Sequence, residues 1–145
     1  MRILLFIMII LLFSHSKDII KQGKDYPIDK FKEQNSKIIK MVVKEISKTL
    51  PQKIDKYTTI TGVRDENLTL IYTFEINTGA KSDKAVIKDD KARMERAVTR
   101  GLCRTSKRFL DADIELEYEY KSAVTKNRLF TFHITKESCM GLKYD

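Results

Sequence analysis

The sequence predicts an α+β domain in which a helix packs on a four-stranded antiparallel sheet. Two observations carry this prediction: a helical repeat of apolar residues ends at Pro51, and apolar and polar residues alternate within 68–76, 114–120 and 130–134. The 145 residues are 42% hydrophobic and 33% charged, which excludes the fibrous and disordered classes. A chain of this length supports one hydrophobic core, so we expect a single domain made of two αββ halves.

The N-terminus has the three parts of a secretory signal peptide. Arg2 is followed by the eleven apolar residues 3–13 and then by Ser14-His15-Ser16, a small-x-small cleavage site. As a helix, eleven residues span about 16 Å, roughly half of a hydrocarbon core of about 30 Å. The apolar segment is therefore too short for a comfortable transmembrane helix.

These features predict a bacterial protein that is periplasmic or secreted. We expect residues 1–16 to be a signal peptide cleaved after Ser16, which leaves residues 17–145 as the mature domain. An uncleaved N-terminal anchor is the alternative. The formal charge of +8 and the pI of about 9.4 make the protein basic.

The first helix is predicted to begin at Asp29, as its N-cap, and to end before Pro51. Its apolar residues recur three and four positions apart: Phe31, Ile38, Ile39, Val42, Val43, Ile46 and Leu50. Pro51 ends the helix because the residue before a proline is pushed away from helical geometry.

Two strands and a second helix follow. Residues 57–63 are rich in β-branched side chains, and Leu68–Ile76 alternate with period two after a polar turn at 65–67. A second helix is predicted over 84–103, although all of Lys88–Lys91 in its middle are charged.

The last strands are predicted at 114–120 and 130–134. In the first of them Leu116-x-Tyr118-x-Tyr120 is similar to Leu70-x-Tyr72-x-Phe74 of the earlier strand, as expected if the two αββ halves correspond. The polar face of the last strand carries His133. A register that keeps the apolar faces together pairs His133 with Glu117.

Cys103 and Cys139 are the two cysteines of the chain, and they lie 36 residues apart. In an exported protein such a pair is most simply a disulfide. A zinc site needs two further ligands, and the mature chain has one histidine, His133. A catalytic thiol needs a histidine partner and a reason to stay reduced, and neither is evident. We therefore expect one structural disulfide and no metal.

Short motifs spread over the mature chain resemble those of a group of small exported Gram-negative proteins of unknown function. The motifs are Leu50-Pro51, Ile54-Asp55, Thr58, Leu70-x-Tyr72-x-Phe74, Cys103, Tyr118-x-Tyr120, Phe132 and Cys139. The resemblance implies a compact, cystatin-like α+β domain with a Cys103–Cys139 bridge. It implies no activity.

Glu115, Glu117 and Glu119 form the most conspicuous acidic cluster. Paired carboxylates act as acid and base in glycoside hydrolysis, so a small hydrolase is an alternative function. These residues occupy the polar face of an alternating strand, where charge is expected, and no cleft that would raise the pKa of one of them is evident. We therefore expect no enzyme.

Basic charge is concentrated in the second predicted helix. Residues 84–108 contain nine lysines and arginines against three acidic residues, whereas residues 109–123 contain one against five. Four of the arginines recur three and four residues apart and so line one side of a helix: Arg93, Arg96, Arg100 and Arg104. Such a row binds phosphate-rich ligands or an acidic protein, although a solvated helix face without a partner is equally compatible.

We therefore expect a non-enzymatic interaction or accessory protein of the cell envelope. Its partner is expected to be an unknown envelope protein or an anionic envelope component. Nucleic acid is a further alternative, which a steep loss of affinity with salt would reveal. The sequence contains no Gly-rich phosphate loop, nucleotide fingerprint or Ser-His-Asp arrangement, so no cofactor is predicted.

Asn67 lies in Asp65-Glu66-Asn67-Leu68-Thr69, at a predicted turn. Asn-x-Thr is the acceptor pattern for N-linked glycosylation. The acidic residue two positions before the asparagine resembles the extended acceptor site of bacterial oligosaccharyltransferases. We expect a surface turn here, with Asn67 as a candidate glycosylation site.

Overall fold

The computed structural model describes residues 27–142, so the predicted signal peptide and its cleavage after Ser16 lie outside the described residues. Helix α1 spans Ile28–Ser47, and three strands follow: β1 (Gln52–Lys53), β2 (Thr58–Glu66) and β3 (Thr69–Ile76). Then come helices α2 (Asp83–Thr105) and α3 (Lys107–Asp111), strands β4 (Glu115–Ser122) and β5 (Arg128–Ile134), and a 3₁₀ turn at Glu137–Cys139. Residues from Lys32 onward form one compact unit, and the sheet belongs to it.

The sheet in the described residues has five strands in the order β1-β2-β3-β4-β5, and it is mixed. β3 and β4 are parallel, whereas the other neighbours are antiparallel. The prediction of four antiparallel strands was therefore wrong, and the cystatin-like architecture is not confirmed. The physical reason is the connection from β3 to β4: it carries α2 and returns the chain to the end where β3 began, as a parallel pair requires. The sequence did not predict β1, because a strand of two residues is too short to show an alternation of apolar and polar residues.

The similar segments of the two halves lie side by side in the parallel pair. Leu70 is in register with Leu116, Tyr72 with Tyr118, and Phe74 with Tyr120. The ring centroids are 5.3 Å apart in the second pair and 4.9 Å in the third, within the range of favourable aromatic contacts. Burial raises the pKa of Tyr120 to about 12, so its hydroxyl stays neutral at physiological pH. The matching residues of the two halves are therefore neighbours in the sheet, and two of the three pairs are in contact through their aromatic rings.

Both long helices contribute to one core. Ile39 of α1, Val86 of α2 and Phe132 of β5 are all less than 5% exposed and belong to the same buried cluster. The Asn35 side chain of α1, also buried, donates a hydrogen bond of 2.7 Å to the carbonyl of Ala112. These contacts confirm that the sequence packs helices on a sheet, with two helices rather than one.

The helix boundaries follow local signals. α1 ends at Ser47, ahead of Pro51 as predicted, but Asp29 lies in its first turn and is not its N-cap. Ser82 caps α2, since its side-chain oxygen accepts a hydrogen bond from the Ala85 amide. α2 extends two residues beyond Cys103, the end predicted from the sequence.

A disulfide joins Cys103 to Cys139, with a Cα–Cα distance of 5.5 Å. Cys103 is 3% exposed in the last turns of α2, and Cys139 ends the 3₁₀ turn that follows β5. The bond therefore ties the C-terminal part of α2 to the segment after the last strand, as the cysteine pair predicts.

Candidate functional site

The four arginines predicted to line a helix do so on α2. Their spacing of three and four residues places them on one side of the helix, and all four side chains are exposed: Arg93, Arg96, Arg100 and Arg104. The opposite side of the same turns packs on the core through Met94, Val98 and Leu102. We call the four exposed residues the arginine face.

The arginine face has few counter-charges. Arg93 forms an ion pair of 3.1 Å with Asp90, which also pairs with Lys81. Among residues 27–142, no carboxylate lies within 4.0 Å of Arg96, Arg100 or Arg104. Three guanidinium groups are therefore available to a partner.

Part of this charge also stabilises the helix itself. Arg104 lies in the last turn of α2, where a cation interacts favourably with the helix dipole by about 0.3–1 kcal/mol. The dipole effect falls off within one turn, so it does not account for Arg93, Arg96 or Arg100.

Two of the three glutamates of the acidic cluster on β4, Glu115 and Glu119, form ion pairs, on the face of the sheet that is turned away from the core. Glu119 receives two hydrogen bonds from Arg64, at 2.8 and 2.9 Å, and a third from the Thr73 hydroxyl at 3.3 Å. Because Arg64 is on β2 and Glu119 on β4, this bridge crosses β3. The Arg64 hydrogen bonds hold the pKa of Glu119 below its usual range, whereas a general acid needs a raised pKa. Glu119 is therefore unsuited to the hydrolase alternative.

Glu115 is paired with His133. The predicted register is confirmed, since His133 lies opposite Glu117. The 2.8 Å contact of the imidazole, however, is with the diagonal neighbour Glu115, whose carboxylate also lies 3.5 Å from the Thr69 hydroxyl. Both groups are exposed by about half, which is typical of a surface pair of small energy. The cluster acts as a polar sheet surface.

Glu119→Gln is expected to lower the free energy of unfolding by about 1–2 kcal/mol at pH 7. The wild-type carboxylate accepts charge-assisted hydrogen bonds, which stabilise the fold. The expected loss is kept small because the Arg64 side chain is 47% exposed, so that solvent screens the ion pair. Since the folded state depresses the pKa of Glu119, its contribution is present above the unfolded pKa of about 4.3 and is lost as the pH falls through the folded value. Urea titrations at pH 7 and pH 3 measure the difference.

Glu117→Gln is the matched control. Glu117 lies on the same strand face but has no ion-pair partner among the described residues, so we expect a change below about 0.5 kcal/mol. Equal effects of the two substitutions, or a Glu119→Gln effect that persists unchanged at pH 3, would contradict this assignment.

A shallow cleft of about 460 Å³ lies beyond the carboxyl ends of β3 and β4, where ligands often bind in α/β proteins. Its acidic group, Asp83, is already engaged: the carboxylate accepts hydrogen bonds from Thr125 Oγ1 at 2.6 Å and Asn127 Nδ2 at 3.3 Å. These bonds hold the pKa of Asp83 below its usual value. Asp83 therefore fastens the β4–β5 loop to the start of α2.

Asn67 lies at the tip of the β2–β3 hairpin. Asn67 and Leu68 are the two loop residues, with φ of 46° and 66°, and Glu66 pairs with Thr69 across the turn. Positive φ at both positions is the pattern of a type I′ turn, in which asparagine is favoured. The Asn67 side chain is exposed, as expected for a surface turn.

Within residues 27–142, no group of three or more histidine, cysteine, aspartate or glutamate side chains is arranged to hold a metal ion. No helix of the described segment has the length and apolar character needed to cross a membrane.

Sequence reasoning missed Arg64 and Asp83 as structural residues. Arg64 is 55 residues from Glu119, and Asp83 is 42 residues from Thr125. No local pattern links residues so far apart. The available signal for Asp83 was its position after Ser82, a serine followed by an acidic first turn, which marks a helix start.

The sequence matches the family described as Domain of unknown function (DUF8479) over residues 32–130. The match includes the whole of the arginine face and ends within β5, so Cys139 lies beyond it. No curated protein matches the chain.

Three solved structures are similar to this chain. A candidate secreted protein from Pseudomonas aeruginosa has a TM-score of 0.65 and 19% identity, over 75% of this chain and 96% of its own. EpsS, a pilotin from the type 2 secretion system of Vibrio vulnificus, has a TM-score of 0.65 and 13% identity, over 79% and 99%. AspS, the type II secretion system pilotin from Vibrio cholerae, has a TM-score of 0.61 and 17% identity, over 77% and 98%. At such identities these proteins share the fold alone.

Proposed function

The chain belongs to the DUF8479 family of domains of unknown function, and we propose that it is a non-enzymatic accessory protein of the bacterial cell envelope. In this proposal the protein is exported, and its arginine face binds an acidic segment of another envelope protein. The observation that carries the proposal is the row of exposed arginines on α2, three of which lack a counter-ion in the described part of the chain.

The shared fold supports an envelope role. The similarity extends over nearly the whole of two pilotins of the type 2 secretion system and of a candidate secreted protein. We extend this to a pilotin-like place for the chain, as an accessory to a secretion assembly. The export signal predicted at residues 1–16 and the disulfide agree with such a compartment.

The geometry of the arginine face favours a protein segment as its ligand. From Arg93 to Arg104 the row runs about 16 Å along the helix, at 1.5 Å per residue. Guanidinium groups bind carboxylates in bidentate fashion, so such a row fits several acidic side chains of one extended or helical segment. The chemistry also permits anionic lipid or nucleic acid, which we treat as alternative outcomes of the test.

Photo-crosslinking in the native bacterium tests the proposal. A photoreactive amino acid at Ala97, an exposed position between Arg93 and Arg100, is expected to crosslink to one envelope protein that mass spectrometry identifies. The same amino acid at Lys53, exposed on β1, is the control and should not capture that protein.

Three results would contradict the proposal. One is equal capture of the same protein from both positions. The second is a crosslink from Ala97 to lipid or nucleic acid alone, and the third is the absence of any product from Ala97 in cells that express the exported chain.

A further inference from the structure

The tip of the β2–β3 hairpin combines an exposed asparagine with an acceptor pattern. Asn67-Leu68-Thr69 is the single Asn-x-Ser/Thr pattern of the sequence, and Asp65 stands two residues before the asparagine. Asp65, near the end of β2, and Asn67, in the loop of two residues, are both exposed. The acceptor asparagine and the acidic residue before it are therefore both at the surface, at one hairpin.

We propose that Asn67 is an acceptor for N-linked glycosylation in the bacterial envelope. The co-substrate is an oligosaccharide linked to polyprenyl diphosphate, the form in which such glycans are presented at a membrane. The Asn67 Nδ2 atom attacks the anomeric carbon, where an N–C bond forms and the C–O bond to the diphosphate breaks. Polyprenyl diphosphate leaves with the bonding electron pair, and one amide proton passes to a base of the transferase.

The folded protein has room for the product. Asn67 has φ of 46° at the first loop position, and its side chain is exposed. Leu68, the other loop residue, packs against the core and fixes the turn from the inner side. A glycan on Asn67 thus extends into solvent without displacing core residues.

The same geometry determines when the transfer takes place. Thr69 belongs to β3, pairs with Glu66, and is partly buried with its hydroxyl 3.5 Å from Glu115. Once the hairpin is closed, Thr69 is therefore less exposed than Asp65 and Asn67, the other two polar residues of the acceptor pattern. We therefore place glycosylation during export, before β3 pairs with β4.

Co-expression of the full-length chain with a bacterial oligosaccharyltransferase that requires the acidic residue, and with its lipid-linked oligosaccharide, tests the proposal. We expect a glycan on the tryptic peptide of residues 65–81, detected by mass spectrometry. Asn67→Asp removes the acceptor nitrogen but keeps a residue that tolerates positive φ, so the glycan should be lost from a folded protein. Asp65→Asn should strongly reduce occupancy.

The timing is tested by presenting purified folded protein to the same enzyme and glycan donor, where we expect much lower occupancy than in cells. An unmodified Asn67 in cells that glycosylate a control acceptor would overturn the proposal. Equal occupancy of folded and newly exported chains would overturn the timing. Neither result bears on the arginine face. α2 contacts β5, which is an edge strand and is not a neighbour of the hairpin strands β2 and β3 in the sheet.

Discussion

Loss of the Cys103–Cys139 disulfide is expected to lower the free energy of unfolding by about 3–4 kcal/mol. The bond closes a loop of 36 residues, and in the chain-entropy model a loop of that size restricts the unfolded state by this amount. Urea titrations of the protein and of its Cys103→Ser, Cys139→Ser double variant measure the difference.

The effect should begin in α2. This helix has a charged middle at Lys88–Lys91 and only Val86 and Cys103 fully buried, so its docking depends strongly on the covalent tie. Hydrogen exchange of the reduced protein should show residues 83–105 losing protection before β3, which lies at the centre of the sheet.

The double variant in the presence of reductant is the control, because reductant should change the stability of the wild type and leave the variant unaffected. A wild type equally stable with and without reductant would show that the bond does not support the fold. A disulfide that joins two chains, instead of Cys103 and Cys139 of one chain, would also contradict this prediction.

Local sequence signals predicted the two long helices, the strands β2–β5 and the register of β4 with β5, but not the parallel pairing of β3 with β4. The periodicity of α1 and the alternation in β3, β4 and β5 report which face of each element is buried, and those faces agree with the structure. Alternation is the same in parallel and antiparallel strands, so it could not predict that β3 and β4 run parallel. The length of the intervening segment, with a helix inside it, was the signal available.

For the candidate site, too, the sequence predicted the local features and missed the contacts between distant residues. The arginine face could be predicted because it depends on spacing within one helix, where residues three and four apart are neighbours. The Arg64–Glu119 bridge and the Asp83 contacts depend on tertiary neighbours 55 and 42 residues away. The hydrolase alternative required a glutamate with a raised pKa as the proton donor. The observed contacts do the opposite, because they stabilise the charged carboxylates.

Replacing the four arginines of the arginine face by glutamine is expected to weaken partner binding roughly thirtyfold. Each exposed charge pair contributes about 0.5 kcal/mol, so four contribute about 2 kcal/mol. The fold should be retained, because these side chains are exposed and each substitution is expected to change the free energy of unfolding by no more than about 1 kcal/mol, the loss of Arg104 from the last turn of α2 included.

α1 offers a matched control with the same spacing and the same number of charges. Lys37, Lys40 and Lys44 of α1, with Lys48 one residue beyond its end, recur three and four residues apart and are all exposed. Their replacement by glutamine changes the net charge by the same amount, so a purely global electrostatic effect would appear equally in both variants.

The decisive measurement is the yield of the Ala97 crosslink to its envelope partner in three backgrounds: wild type, the four-arginine variant and the four-lysine variant. We predict that the product is lost in the arginine variant and retained in the lysine variant. Retention in the arginine variant, or equal loss in both, would contradict the assignment of the arginine face as the binding surface.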